Sequence, residues 1–221
     1  MTTTTYTDRE RRGETRAIER FIPAWDIRTC HETIVQAPAD TVFGVAEHFD
    51  LQSIPLVRAI FWLRAKLMRA SATKRQPAGL AEETKRLGWG ELMRRAGREL
   101  VMGAVTQPWQ GDVKFTALPP NDFLGYAERD RVKIVWTIEA VPIEPALTLL
   151  RTETRVRAAD QGGREKFLRY WRFARFGVVL IRWLHLPAVR RAAELQYRLG
   201  QHETDHEGIV KVVRSGATTG V

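Results

Sequence analysis

GREKFLRYWRFARFGVVLIRWLHLPAVRRAAELQ, residues 163–196, decides how the rest of the chain must fold. At 100° per residue, Phe167, Tyr170, Trp171, Ala174, Val178, Ile181, His185, Ala188 and Ala192 share one face. Arg169, Arg172, Arg175, Arg182 and Arg190 are assigned to the opposite one. That period predicts an amphipathic helix with an apolar stripe and a solvated basic back. About 30 residues of helix rise ~45 Å, and Pro187 is expected to kink them. The stripe is bulky at Trp171 and thin at Ala174 and Gly177. A wall closed on such a helix packs tightly at the first point and leaves room at the others.

The segments before it supply the wall. Residues 27–37 alternate as a strand, with Ile27, Thr29, His31, Thr33 and Val35 on one side. Pro38 and Asp40 suit a helix start for the run through Phe49, and residues 54–69 read as a second helix. Residues 70–86 turn polar around Pro77 and Gly79 and read as a loop, a candidate gate. A hairpin is expected from Leu87 to Val105, turning at Ala96-Gly97, followed by short strands over 112–118, 131–141 and 148–158. In the last two, Val132, Ile134, Trp136, Ile138 and Ala140, then Leu150, Thr152, Thr154 and Val156, form inner faces. Glu139, Arg151, Glu153, Arg155 and Arg157 are left for a salt-bridged, wetted outer face. The expected architecture is α+β, with a curved antiparallel sheet of six to seven strands around a long C-terminal helix and two shorter helices after the first strand. The domain is expected over 27–197, with a flexible arm at 1–25 and a flexible tail at 198–221.

Composition narrows the classes. Of 221 residues, 44% are hydrophobic and 28% charged, ordinary for a single globular domain. Cys30 is the only cysteine, which excludes an internal disulfide and fits a reducing compartment. The polar N-terminal stretch MTTTTYTDRERRGE lacks the apolar run of a secretory signal, and a cytoplasmic protein is expected. The net charge of +9 concentrates in residues 58–86 and 160–199. No specific nucleic-acid motif accompanies it, which leaves a solvated basic face or weak contact with an anionic membrane surface.

Few motifs carry chemistry. His202-Glu203-Thr204-Asp205-His206 matches HExxH in form, but Asp205 and the missing third ligand argue against zinc, and no metal or cofactor is expected. No nucleophile elbow, Walker or dinucleotide fingerprint occurs.

The residues 33–50, TIVQAPADTVFGVAEHFD, together with ELVMGAVTQPW at 99–109 and the stretch 149–194 beginning LLRTETRV, resemble the START-like or SRPBCC superfamily, also called polyketide cyclase/dehydrase-like. The similarity is to a bacterial subgroup of unassigned activity and spans roughly residues 27–195. It implies a sheet gripping the last helix around a cavity for an apolar or amphipathic small molecule, and transfers no catalytic residues. The expected function is binding or carriage of a hydrophobic small molecule or lipid, in a wall drawn from Trp89, Met102, Ile134, Trp136, Ile138, Thr152, Thr154, Tyr170, Ala174 and Ile181. The alternative is a cyclase or dehydratase using Tyr170 or His185 as acid/base.

Overall fold

A computed structural model describes residues 16–67 and 78–216; the side chains at positions 61, 64, 65, 67 and 202–216 lie outside that description. Six strands form one antiparallel sheet: β1 (Ile27–Val35), β2 (Gly90–Arg95), β3 (Glu99–Thr106), β4 (Phe115–Thr116), β5 (Val132–Glu144) and β6 (Leu147–Ala158). They lie in the order β1-β6-β5-β3-β2, with β4 pairing the end of β3. The helices are α1 (Ala17–Phe21), α2 (Ala39–His48), α3 (Pro55–Leu67), α4 (Leu80–Arg86), α5 (Pro120–Gly125) and α6 (Gln161–Gly216). Sheet and long C-terminal helix make the α+β helix-grip arrangement.

The inner face of the sheet meets α2 and α6. Val42, Phe43 and Ala46 of α2 and Val189 and Ala193 of α6 join Leu100, Met102, Trp136, Ile138 and Leu150 in the largest core cluster. Each large side chain sealed there contributes about 1.5–3 kcal/mol by leaving water. The hairpin turns where expected, with Gly97 at φ +66° in the left-handed region that glycine enters without strain. Residues 112–118 hold only the two-residue β4, and α5 follows with Pro120 in its first turn.

A register shift between Glu91 and Met93 breaks the expected alternation in β2. It buries Leu92 in the core cluster of the outer face, against Gly103, where a side chain would collide with it. Residues 80–86 are helix rather than loop, and residues 68–77 of the expected gate lie outside the described residues. The last helix does not stop near 197. It continues through Gly200 and the HETDH stretch to Gly216.

The outer face departs furthest from expectation. It is not wetted. Ala17, Ile18, Phe21 and Ile22, assigned to the flexible arm, are buried there with Val101, Val105, Phe123 and Val135. Beneath this cover the acid–base row of β6 forms a closed ion network. Glu153, with no exposed side-chain surface, accepts hydrogen bonds from Arg28 Nε and Arg155 Nε, each at 2.7 Å, and pairs with Arg16. Arg155 also donates to the Ile22 carbonyl at 2.9 Å, tying the N-terminal segment down. Arg151 bridges Glu32 and Glu139.

Burial alone would raise the Glu153 carboxyl, but the Arg28 hydrogen bond and the Arg16 and Arg155 guanidiniums outweigh it and hold the group at about 2. The resulting stabilisation is complete above the ordinary value of 4.5 and disappears as pH falls through about 2. Glu153→Gln should therefore destabilise the protein by about 3–5 kcal/mol at neutral pH, because the buried charge shared by Arg16, Arg28 and Arg155 is removed. Urea denaturation should show the deficit shrinking below pH 4.5.

Candidate functional site

Strand pairing places the expected wall in neighbouring rows across the inner face. One row runs Thr29–Thr154–Trp136–Met102, the next His31–Thr152–Ile138–Leu100, and Ile134 lies beside Val156 in a third. Met102, Ile134, Trp136, Ile138, Thr152 and Thr154 thus form one continuous patch. Within it Met102 is sealed in the core, Trp136 is nearly so, and Ile134 and Thr154 are half-buried. Trp89, just before β2, packs against the core cluster that holds Met102, Trp136 and Ile138, its ring 5.1 Å from that of Phe115.

Across from the patch, α6 is anchored at two points. Phe167 is buried at one end, stacked on Trp171 at 5.9 Å, and His185, Leu186 and Val189 are buried at the other. From Leu168 to Leu184 no residue of the helix is fully buried. The 18 residues from Phe167 to His185 cover about 27 Å of helix. Over that span solvent reaches Thr29, His31, Ile134 and Thr154 on the wall, and Ala174, Val178 and Ile181 on the helix. Over this span helix and wall are not sealed against each other. Gly177 does not face the wall; a Cβ there would meet Ile60 of α3 at 3.5 Å.

One side chain reaches from this part of the helix to the wall. Arg182 was assigned to the solvated back of the helix, yet it points inward, donating from Nη1 to Thr152 Oγ1 at 2.7 Å and from Nη2 to Thr154 Oγ1 at 3.2 Å. Among the described residues no carboxylate pairs with it. Burial lowers its pKa to about 10, so the guanidinium is still charged at neutral pH. It is a cation held between two hydroxyls, with donor capacity beyond the two bonds it makes.

Two imidazoles feel that charge. His31 sits opposite Thr152, half-buried, and burial together with the Arg182 charge lowers its pKa. His185 is 4% exposed, its ring 5.3 Å from that of Phe49, and its Nε2 has no hydrogen-bond partner. Burial first, and Arg182 second, push it down to about 3. It is neutral near pH 7 and a poor proton acceptor there. Tyr170 lies at the other end, its ring 6.3 Å from that of Phe167, and is 12 residues or about 18 Å of helix from Arg182. Tyr170 and His185, paired as alternatives in the sequence, stand near opposite ends of this helical span, beside Phe167 and Phe49.

Arg182 and His31 were missing from the expected site. The signal for Arg182 was present: it follows Val178 by four residues and precedes His185 by three, so it shares their face. His31 lay on the correct side of β1 but gained a role only through its pairing with Thr152.

No family model and no curated protein matches the chain. Among solved structures, it is similar to the di-domain aromatase/cyclase BexL, at 16% identity over 76% of this chain and 47% of that one, with a TM-score of 0.28. It is also similar to the Zhui aromatase/cyclase of a Streptomyces species, at 15% identity over 76% of this chain and 93% of that one, again at 0.28. The chain spans about half the length of BexL.

A buried cation without a counter-ion opposes folding. Arg182→Met should therefore leave the melting temperature unchanged or raise it, against the usual destabilisation by a core substitution. The neutral His185 adds a pH term. The unfolded chain takes up a proton below about 6.5 that the native protein refuses until about 3, so stability falls as pH drops through that window. His185→Leu should flatten that part of the urea-midpoint profile.

Proposed function

We propose that a cleft between the middle of α6 and the inner face of the sheet binds a hydrophobic small molecule bearing an anionic or readily enolised oxygen, seated with that oxygen at Arg182. The observation behind this is the guanidinium itself, bonded to Thr152 and Thr154 beside Trp136 and Ile138, with no carboxylate among the described residues to neutralise it. Apolar burial against Trp136 and Ile138 supplies affinity at roughly 25 cal/mol per Å², less the cost of ordering the ligand. The guanidinium supplies selectivity, because a charge-assisted bond in a half-dry site is about twice as strong as a neutral one. With both imidazoles neutral, the site carries one positive charge and favours a single negative one.

A second function for the same cleft is ring closure or dehydration of a polyketide-like substrate. It is favoured by the neutral His31 imidazole beside the Arg182 charge. His31 would take a proton from carbon next to a carbonyl while Arg182 holds the enolate oxygen. His185 is too weak a base for that step, and Tyr170 is too far along the helix.

Calorimetric titration with 2-naphthoate and with 2-methylnaphthalene separates charge from burial. The naphthoate should bind at least about tenfold tighter. Arg182→Met should remove that preference and leave the hydrocarbon affinity in place. Equal affinities in the wild type, or a preference that survives the substitution, would contradict the assignment. Exchange of the acidic protons of a β-keto thioester in D2O, catalysed by wild type and lost in His31→Asn, would establish the second function.

A further inference from the structure

On the side of α6 away from the cleft, large apolar side chains face solvent. Phe173 and Trp183 are each 75% exposed, Phe176 is 66% exposed, and Val179 is also exposed. Trp62 and Leu63 of α3 are exposed as well, and α3 packs on α6 where Ile60 meets Gly177. A water-soluble surface rarely carries so many large apolar groups on two touching helices without a use for them.

The charges among them are of one sign. Residues 55–67 contain no acidic residue, and neither does the stretch 166–193. Arg58 and Lys66 on α3, and Arg169, Arg172 and Arg175 on α6, are all exposed. Two of these cations lie against the exposed rings: Lys66 Nζ is 5.0 Å from the Trp62 centroid, and the Arg175 guanidinium is 4.8 Å from that of Phe176. Aromatic rings interleaved with long cations suit the boundary between acyl chains and headgroups, where the ring enters and the cation stays at the phosphates. A protein partner would meet the apolar groups equally well, but it would have to supply a matching acidic rim. An anionic bilayer offers both at once. No helix among the described residues is long and apolar enough to cross a membrane, so the contact is one of lying on the surface.

We propose that the face formed by α3 and the middle of α6 docks onto an anionic lipid bilayer, inserting Phe176, Trp183 and Trp62 while the flanking cations pair with lipid phosphates. Successive residues of α6 then serve two sides: Arg182 faces the cleft and Trp183 the bilayer. The docking surface stands independently of what the cleft binds.

The test is co-sedimentation of the whole protein with vesicles of phosphatidylcholine, with and without about 30 mol% phosphatidylglycerol. Binding is expected only to the anionic vesicles, with a blue shift of tryptophan emission, and should be reversed by about 0.5 M NaCl. Phe176→Ser with Trp183→Ser should weaken binding at least about tenfold at low salt, and so should Arg172→Glu with Arg175→Glu. All four positions are exposed, so circular dichroism should be unchanged; if the serine pair fails to fold, the glutamate pair carries the test. Equal binding to both vesicle types, binding to neither, or binding unaffected by the serine pair would overturn the proposal. So would a dimer that dissociates in the serine pair while ignoring vesicles, since the face would then belong to a second copy.

Discussion

Between its two buried anchors, α6 is joined to the sheet by a hydrogen-bonded cation and by no other side-chain hydrogen bond among the described residues. The pair of bonds from Arg182 to Thr152 and Thr154 sets how far the helix stands off the wall and how it is rotated. An apolar residue at that position could approach the wall closely and close the gap. The guanidinium instead reaches Thr152 and Thr154, leaves Thr154 half-buried, and adds its charge to the burial that lowers the pKa values of His31 and His185.

The sheet keeps its charges in two separate populations. On β6, alternate residues point to opposite faces, so Thr152 and Thr154 meet Arg182, while Glu153 and Arg155 meet the N-terminal segment and Arg151 meets Glu32 and Glu139 of the neighbouring strands. On the outer face every cation of the network has a carboxylate, and the network is structural: it fastens residues 16–26 over the strands. On the inner face Arg182 meets two hydroxyls and, among the described residues, no carboxylate. A charge that is fully paired contributes to holding the fold, whereas one left unpaired near solvent is available to a ligand.

Much of the scaffold was legible because strands and helices differ in period. The two-residue alternation of 132–140 and 150–156 identified the inner wall, and the strand pairing turned those residues into one patch. What was not legible depended on cover from distant sequence. Nothing within Arg151–Arg157 indicates that Ile18, Phe21 and Ile22 will bury that row, so an ion network was read as a wetted face. The bulge at Glu91–Met93 likewise depends on Leu92 finding the space above Gly103. Arg182 was misplaced for a different reason: arginines on an amphipathic helix are usually solvated, and composition outweighed an angular position that pointed inward.

The central claim is that Arg182 retains an acidic, hydrophobic small molecule in the cleft. Native mass spectrometry of the protein isolated from its own cells tests this most directly, with the Arg182→Met variant prepared alongside. A bound species of a few hundred daltons that dissociates as an anion, present on the wild type and absent from the variant, is the predicted result. Wild-type protein carrying nothing, or both proteins retaining the same neutral compound, would contradict it.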